Sequence, residues 1–411
     1  MNVCVIGGGA AGMMCATMIA RKGHQVSLFE KNEKLGKKIY ITGKGRCNVT
    51  NATVGDEFLK NVVSGKKFVM GAVTRFNSND TMNFFEEVGI PLKIERGNRV
   101  FPVSDKSSDI IKGLERAMHW AGVSVNLNSN VESLVIEENQ IKGIVVNGET
   151  LNFDAVVVAT GGISYPSTGS TGDGYNFAKN VGHTITEPIP ALCAIKVCGD
   201  EPSQVEGLSL KNVKLISKLC DKTIYESEIG EMLFTRDGIS GPIVLSTSSY
   251  ICRQDFSKLK LFIDFKPAIS FDGLIARIDR EIADLKAKQV SSLLESLLPK
   301  SLVKIFAKRL GVALTEKANQ LNKEKRKKLA ELLKYFEFSP KKLEDFNQAV
   351  ITSGGVNLKE INPKYMRSKL VSGLYFIGEV LDIDALTGGF NLQLAFSTAV
   401  TCASDFKDLK N

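Results

Sequence analysis

The sequence predicts an α/β protein built on a Rossmann-like unit, and three observations carry the prediction. A glycine-rich turn, Gly7-Gly8-Gly9-Ala10-Ala11-Gly12, sits between a β-branched run and an Ala- and Met-rich run. A fully apolar run, Ala155-Val156-Val157-Val158, leads into a second turn at Ala159-Thr160-Gly161-Gly162. Far along the chain, residues 374–377 close on Gly378-Glu379, and Thr387-Gly388-Gly389-Phe390-Asn391-Leu392 opens a helix running to about Ser404. The unit is therefore expected to be discontinuous, assembled from both ends of the chain.

Each element follows from its residues. Residues 2–6 read as a short strand buried on both faces, 10–22 as a helix and 25–30 as a second strand. Residues 3–20 alone, all apolar or small, have the length of a membrane helix or signal core. Four glycines inside the run, and no basic region before it, argue against both. As strand, turn and helix, the same stretch makes a dinucleotide site. Gly7 permits the tight turn, Gly9 lets a pyrophosphate approach the backbone at the helix amino terminus, and Gly12 lets helix and strand pack closely. Glu30 ends the second strand, 23 positions after Gly7, placed to accept hydrogen bonds from ribose hydroxyls.

A long polar loop, 31–51, comes next and contains Gly43-Lys44-Gly45-Arg46-Cys47-Asn48. It is followed by a helix near 79–88, a hairpin around Arg96-Gly97-Asn98-Arg99 and a helix near 108–121. Residues 123–153 read as an antiparallel meander with turns at Glu138-Asn139 and Asn147-Gly148. A meander leading into an Ala-Thr-Gly turn is the order of FAD proteins of the glutathione-reductase type, which favours FAD over NAD. Thr387 is placed to cap the last helix, whose N–H groups and positive dipole end would favour negative charge on a reduced flavin. Between these parts, strand-like runs dominate 189–266, and 271–338 is helical throughout. The expected division is an FAD-binding domain from 1–188 and 350–411, a β-rich inserted domain at 189–268 and a basic helical inserted domain at 269–349.

The 411 residues exceed one ordinary core and suggest two or three domains. Hydrophobic residues at 43% and charged residues at 24% exclude a disordered or collagen-like chain. Eight cysteines without a C-x-x-C pair suggest free thiols in a reducing cytoplasm, and three histidines without H-E-x-x-H spacing argue against a metal catalyst. The net charge is +8, and residues 271–340 hold 15 Lys+Arg against 9 Asp+Glu, densest at Lys323-Glu324-Lys325-Arg326-Lys327-Lys328. Such a basic face is either a solvated surface or the footprint of an anionic partner such as RNA. The few aromatics there, Phe306, Tyr335, Phe336 and Phe338, make no base-stacking platform by themselves. Acidic membrane lipid is less favoured, for want of an amphipathic terminal helix or lipidation motif.

A set of motifs also carries a likeness to a known family. They are Lys37-Lys38, Gly43 through Asn51, Arg99-Val100-Phe101-Pro102, Ser164-Tyr165-Pro166, Gly238-Ile239-Ser240-Gly241-Pro242, Gly354-Gly355-Val356 and Gly378-Glu379 through Asn391. Over nearly its full length the chain resembles the BaiN-like flavoproteins, also labelled aminoacetone-oxidase-like FAD-binding enzymes or HI-type NAD(FAD)-utilising dehydrogenases. The family often has His where Arg236 stands and an acidic residue where Arg367 stands, so no role is carried over to those two. The resemblance implies a Rossmann-like FAD domain of the glutathione-reductase type with an inserted β-barrel-like domain and an inserted helical domain. FAD contacts are expected at Gly7, Gly9, Ala11, Gly12, Glu30, Lys31, Lys38, Gly45, Arg46 and Asn48. Further contacts are expected at Val131, Thr160, Gly161, Gly378, Glu379, Asp382, Gly389, Asn391 and Leu392.

Cys47, which the resemblance puts beside the flavin, and Tyr165 are candidate proton donors, Cys47 more readily if Arg46 lowers its pKa. A packed thiol and a pocket wall are the plainer readings of the same residues. Arg236 and Asp237 fit either a flavin-facing pair or an exposed ion pair. No second G-x-G-x-x-G follows a strand, so NAD(P)H would visit transiently or another reductant would serve, and the lack of C-x-x-C excludes the disulfide reductases. The resemblance implies a flavin-dependent reductase of an activated ring C=C bond, acting on uridine in large-subunit ribosomal RNA or on a small or steroid-like enone. The alternative is a flavin oxidase of aminoacetone-like amines that releases peroxide.

Overall fold

The computed structural model describes residues 1–285 and 288–409, which form two compact units, Met1–Pro190 with Phe346–Asn411, and Ala191–Asp345. In the first unit a seven-stranded sheet runs in the order Ile361–Asn362, Arg367–Ser368, Leu374–Phe376, Ala155–Val158, Asn2–Ile6, Gln25–Phe29, Ser124–Asn126. The last five strands are parallel, with Cys4 opposite Val156 on one side and Ser27 on the other. Parallel strands in mid-sheet are covered on both faces, which is why 155–158 and 374–376 are wholly apolar and buried.

The helix Ala10–Arg21 buries nine of its twelve residues between this sheet and the helices Ser107–Ala121 and Phe390–Ala403. Its apolar character on nearly every side is that of a core helix. Among the described residues no helix is long and apolar enough to cross a membrane. A methyl on Gly12 would lie 1.9 Å from the Gly7 carbonyl oxygen, so the helix can sit this close to the turn only without a side chain there.

Two expectations change. Ser124–Asn126 is not part of the meander: it is the parallel edge strand beside Gln25–Phe29, fed by the crossover helix Ser107–Ala121. The meander proper is Val131–Glu137, Gln140–Val146 and Glu149–Asn152, turning at Glu138-Asn139 and Asn147-Gly148, where all four residues have positive φ as tight hairpin turns require. The last helix begins at Phe390 with Gly389 at its N-cap in the left-handed region (φ 96°) and no side-chain cap, so Thr387 does not cap it.

In the second unit an antiparallel sheet runs Phe336–Phe338, Leu259–Asp264, Ser209–Leu219, Gly230–Thr235, Gly238–Ser240, Ile195–Val197, Pro340–Leu343, with Lys222–Glu226 also paired to 209–219. Its two end strands are consecutive in the chain, joined by Ser339 alone, so the sheet curls back on itself as a barrel does. The helices between 271 and 334 form an excursion from two neighbouring strands, with Ile263 opposite Phe336. Residues 336–338, expected as helix, are strand. Strand-rich and helical portions share one hydrophobic cluster, in which Leu261 and Ile263 of the sheet join Leu274, Ile278 and Phe306 of the helices.

Candidate functional site

The dinucleotide turn divides its work among three glycines. Gly7 (φ 108°) and Gly12 are filled by neighbouring backbone, whereas a methyl on Gly9 would meet no heavy atom within 4 Å. Gly9 is the N-cap of the helix 10–21 and no side chain caps it, so open space and an uncapped helix amino terminus coincide. That is the cradle an anion such as a pyrophosphate takes. Glu30 is nearly buried and accepts hydrogen bonds from the N–H of Gly8 (2.7 Å) and from the N–H and Nδ2 of Asn32 (2.8 and 2.6 Å). Three of its roughly four acceptor positions are filled, and the carboxylate stiffens the turn as well as facing it.

A second cluster joins the chain ends. Lys38 Nζ donates to Glu379 Oε2 (2.6 Å) and Ser164 Oγ (2.5 Å), while Glu379 Oε1 accepts from the N–H of Thr352 (2.9 Å). Thr352 Oγ1 in turn accepts from the N–H groups of Ile163 and Ser164. The Tyr175 hydroxyl is buried without a hydrogen-bond partner, its pKa raised by burial and then by the charges of Glu379 and Asp382. Lys31, expected to touch cofactor, pairs with Asp173 (2.6 Å) and donates to Thr171. Thr160 Oγ1 and Asn48 Oδ1, both at expected FAD contacts, are buried with no hydrogen-bond partner among the described residues. Orphaned acceptors at these two places fit a polar ligand.

The loop before Asn48 holds Lys44 (φ 56°) and Cys47 (φ 57°) in the left-handed region, a strained backbone for side chains of this kind. Cys47 is fully buried, and burial pushes its thiol up to about 12. Arg46 does not lower it. The guanidinium is held instead by Glu95 (2.5 Å) and Asp105 (2.5 and 2.9 Å) and lies over the Phe101 ring at 4.3 Å. With Lys93 on Asp105 (2.6 Å) this makes a balanced quartet of two cations and two carboxylates. Gly45 (φ 85°) lies in the same loop. Tyr165 is half-buried, also with positive φ (52°), and its N–H donates to the Phe346 carbonyl.

At the last helix, a methyl on Gly389 would stand 2.3 Å from the carbonyl of Thr50, so the helix start abuts that strand. Asn391 brackets Ala385, accepting from its N–H (2.9 Å) and donating to its carbonyl (2.7 Å), so it shapes the loop ahead of the helix. Gly378 packs on Ala11, Gly161 faces Ser170 and Glu379, Leu392 and Val131 pack into the core, and the N–H of Asp382 donates to Val356. Of the two positions that depart from the family pattern, Arg367 pairs with Asp405 (3.4 Å) in the first unit, while Arg236 belongs to the second. Asp237, also in the second unit, pairs with Lys196 (2.9 Å). The sequence reading missed Thr352, Tyr175 and Gln393. The last is a buried amide that accepts from Thr50 and Thr81 and donates to the Phe76 carbonyl. A long amide among Leu392, Leu394 and Phe396 of a mostly apolar and small-residue helix was the signal for Gln393.

The family described as HI0933-like protein Rossmann domain matches residues 1–405. A Haemophilus influenzae protein named ribosomal RNA dihydrouridine synthase is 31% identical over 408 residues, covering 97% of this chain and 96% of its own. A Clostridium scindens protein named 3-dehydro-bile acid delta(4,6)-reductase is 28% identical over 400 residues, 96% of each chain. Among solved structures, a 3-ketosteroid-delta4-(5alpha)-dehydrogenase from Rhodococcus jostii RHA1 superposes with a TM-score of 0.52 at 15% identity, covering 98% of this chain and 96% of that one, a likeness of fold.

Proposed function

Because the chain belongs to the HI0933-like protein family and is an FAD-dependent oxidoreductase, we propose that it reduces an activated ring C=C bond, with uridine in large-subunit ribosomal RNA as substrate and dihydrouridine as product. The observation that carries this reading is the similarity along 97% of the chain to the relative named ribosomal RNA dihydrouridine synthase. The relative named as a bile acid reductase supports the same class of reaction on a smaller ring substrate.

FAD, when bound, supplies the hydride, with NAD(P)H or another donor supplying the electrons. The residues of this chain supply the rest. The Gly9 cradle and the first turn of the helix 10–21 take the pyrophosphate, and Glu30 fixes the turn that presents them. Thr160 and Asn48 offer their unpartnered oxygens to polar edges of the ligand. The uncapped amino terminus of the helix 390–403 would offer partial positive charge to a reduced flavin held there. The carbon next to the one receiving hydride needs a proton; Cys47 holds one at neutral pH, although a thiol raised to about 12 by burial is a weak acid. Tyr165 is the other donor in this reading.

Nucleoside mass spectrometry on ribosomal RNA from cells with and without this gene tests the assignment. Loss of a dihydrouridine in the deletion strain, restored by the gene, is expected. An unchanged dihydrouridine content would rule out this substrate and turn attention to small enones.

A further inference from the structure

The hairpin Leu92–Glu95 and Arg99–Pro102 carries charges beyond the Arg46 quartet, and they divide unevenly. Arg46, Lys93, Glu95 and Asp105 balance one another along one face, with Glu95 opposite Arg99 in the ladder. At its tip Arg96 and Arg99, and in the facing loop Lys44, are exposed, and among the described residues none of the three has a carboxylate within 4.0 Å. Arg99 donates only to the Arg96 carbonyl and lies 5.9 Å from the Phe101 ring centroid, the same ring whose face Arg46 covers. Gly43, beside Lys44, abuts Phe101 as well.

This tip is tied to the helix start at Gly389. The strand Thr50–Asn51 pairs with Arg99–Pro102, Thr50 opposite Val100 and Asn51 opposite Arg99. One buried amide nitrogen, Asn51 Nδ2, donates both to Gly97 at the tip (3.1 Å) and to Gly388 (3.1 Å). The Ala52 N–H donates to the Asn98 carbonyl (2.7 Å), fixing the turn from a second side. Arg96 and Arg99, outside any ion pair among the described residues, are thereby held beside the helix end that the proposed reaction uses, with Lys44 in the neighbouring loop.

We propose that Lys44, Arg96 and Arg99 contact phosphodiesters of a single-stranded RNA segment and set its register at the site. The proposal rests on RNA being the substrate. Guanidinium groups suit this task because their forked donors match phosphate oxygens, and such contacts position a strand without reading its sequence. Sequence and base selection would then be left to the pocket itself.

The test is binding of a fluorescein-labelled mixed-sequence single-stranded RNA by the FAD-loaded enzyme across a range of salt. The wild type is compared with the triple variant Lys44→Asn, Arg96→Gln, Arg99→Gln. Asparagine is chosen at position 44 because it tolerates the left-handed backbone found there. The slope of log K against log salt should become shallower by about 2, since each single-strand phosphate contact contributes roughly 0.7. FAD content and Tm should not change. An unchanged slope in a variant of unchanged Tm, with wild-type binding intact, overturns the proposal while leaving the substrate assignment standing. A wild type with no salt-dependent RNA binding overturns both. If the triple variant loses flavin, Arg96→Gln alone is read, since among the described residues no hydrogen bond or ion pair engages its guanidinium. A slope change of about 0.7 is then expected, and no change refutes.

Discussion

Replacing Gly9 by alanine should separate cofactor binding from folding. The backbone there (φ −85°, ψ −171°) is one that any residue adopts, and an added methyl meets no protein atom within 4 Å. Losing glycine at an N-cap costs about 1 kcal/mol, and stiffening the unfolded chain returns about 0.4–1 kcal/mol, so stability should hardly move. The methyl would, however, occupy the approach of the pyrophosphate. Losing two charge-assisted hydrogen bonds at about 1.5–3 kcal/mol each removes roughly 3–6 kcal/mol, a 10²- to 10⁴-fold weaker FAD affinity. Gly12→Ala is the opposite case. Its methyl would overlap the Gly7 oxygen at 1.9 Å, and overpacking against backbone should cost about 3 kcal/mol or more. Fluorescence titration of deflavinated protein with FAD, and calorimetric Tm, read the two effects. A Gly9→Ala protein that purifies yellow with wild-type affinity would refute the cradle, and a Gly12→Ala protein of normal Tm would refute the packing argument.

Other outcomes follow from the same geometry. Cys47→Ala should keep FAD but cut turnover by about 10²-fold if the thiol donates the proton, and full activity would reduce it to packing. In native protein at pH 8, the exposed Cys198 and Cys220 should react rapidly with a thiol reagent while Cys47 does not. Because the Cys47 pKa is higher folded than unfolded, its contribution to stability is constant below about pH 8.5 and falls as the pH rises toward 12. Hydrogen bonds from Arg46 and Lys93 hold Glu95 and Asp105 below the usual carboxylate range, a contribution present above about pH 4 and lost in more acid solution. The stability difference between wild type and Arg46→Ala, followed by urea unfolding, should therefore shrink between pH 7 and pH 3. Lys325→Ala should lower Tm, since Lys325 Nζ caps the helix Val303–Leu310 at the Leu310 and Gly311 carbonyls, whereas Lys328→Gln, which breaks no ion pair among the described residues and keeps a good helix former, should leave Tm unchanged.

What could be read from sequence depended on how local its cause was. The strands 2–6 and 155–158 are apolar because neighbours cover both faces, and the three glycines carry their roles in their spacing. Ser124–Asn126 escaped because it is a three-residue edge strand, mostly exposed, with no periodicity to detect. Phe336–Phe338 does not separate in sequence from the preceding helix because its partner strand, 259–264, lies more than 60 residues earlier. The site divided the same way. Arg46 adjoins Cys47 in sequence, yet its partners Glu95 and Asp105 lie 49 and 59 positions away and turn it from the thiol. The basic run at 323–328 likewise conceals two structural residues. Lys325 caps a helix, Arg326 pairs with Asp279 and Lys327 with Glu331 (4.0 Å), which leaves Lys323 and Lys328 as the exposed cations of that run outside any ion pair among the described residues.

The discontinuity of the first unit also bears on how the protein is made. Ala155–Val158 leaves the ribosome about 220 residues before its partner Leu374–Phe376, which at roughly 5–20 residues per second is a wait of about 10–45 s. Throughout that interval one side of a wholly apolar strand is an open edge, the kind that recruits other chains. The helix 390–403, which closes over the helix 10–21, arrives later still. The helix end at Gly389 therefore joins the Gly9 cradle only after residues 374–376 have closed that edge, so holdase chaperones that cover the edge in the meantime should raise the yield of native protein.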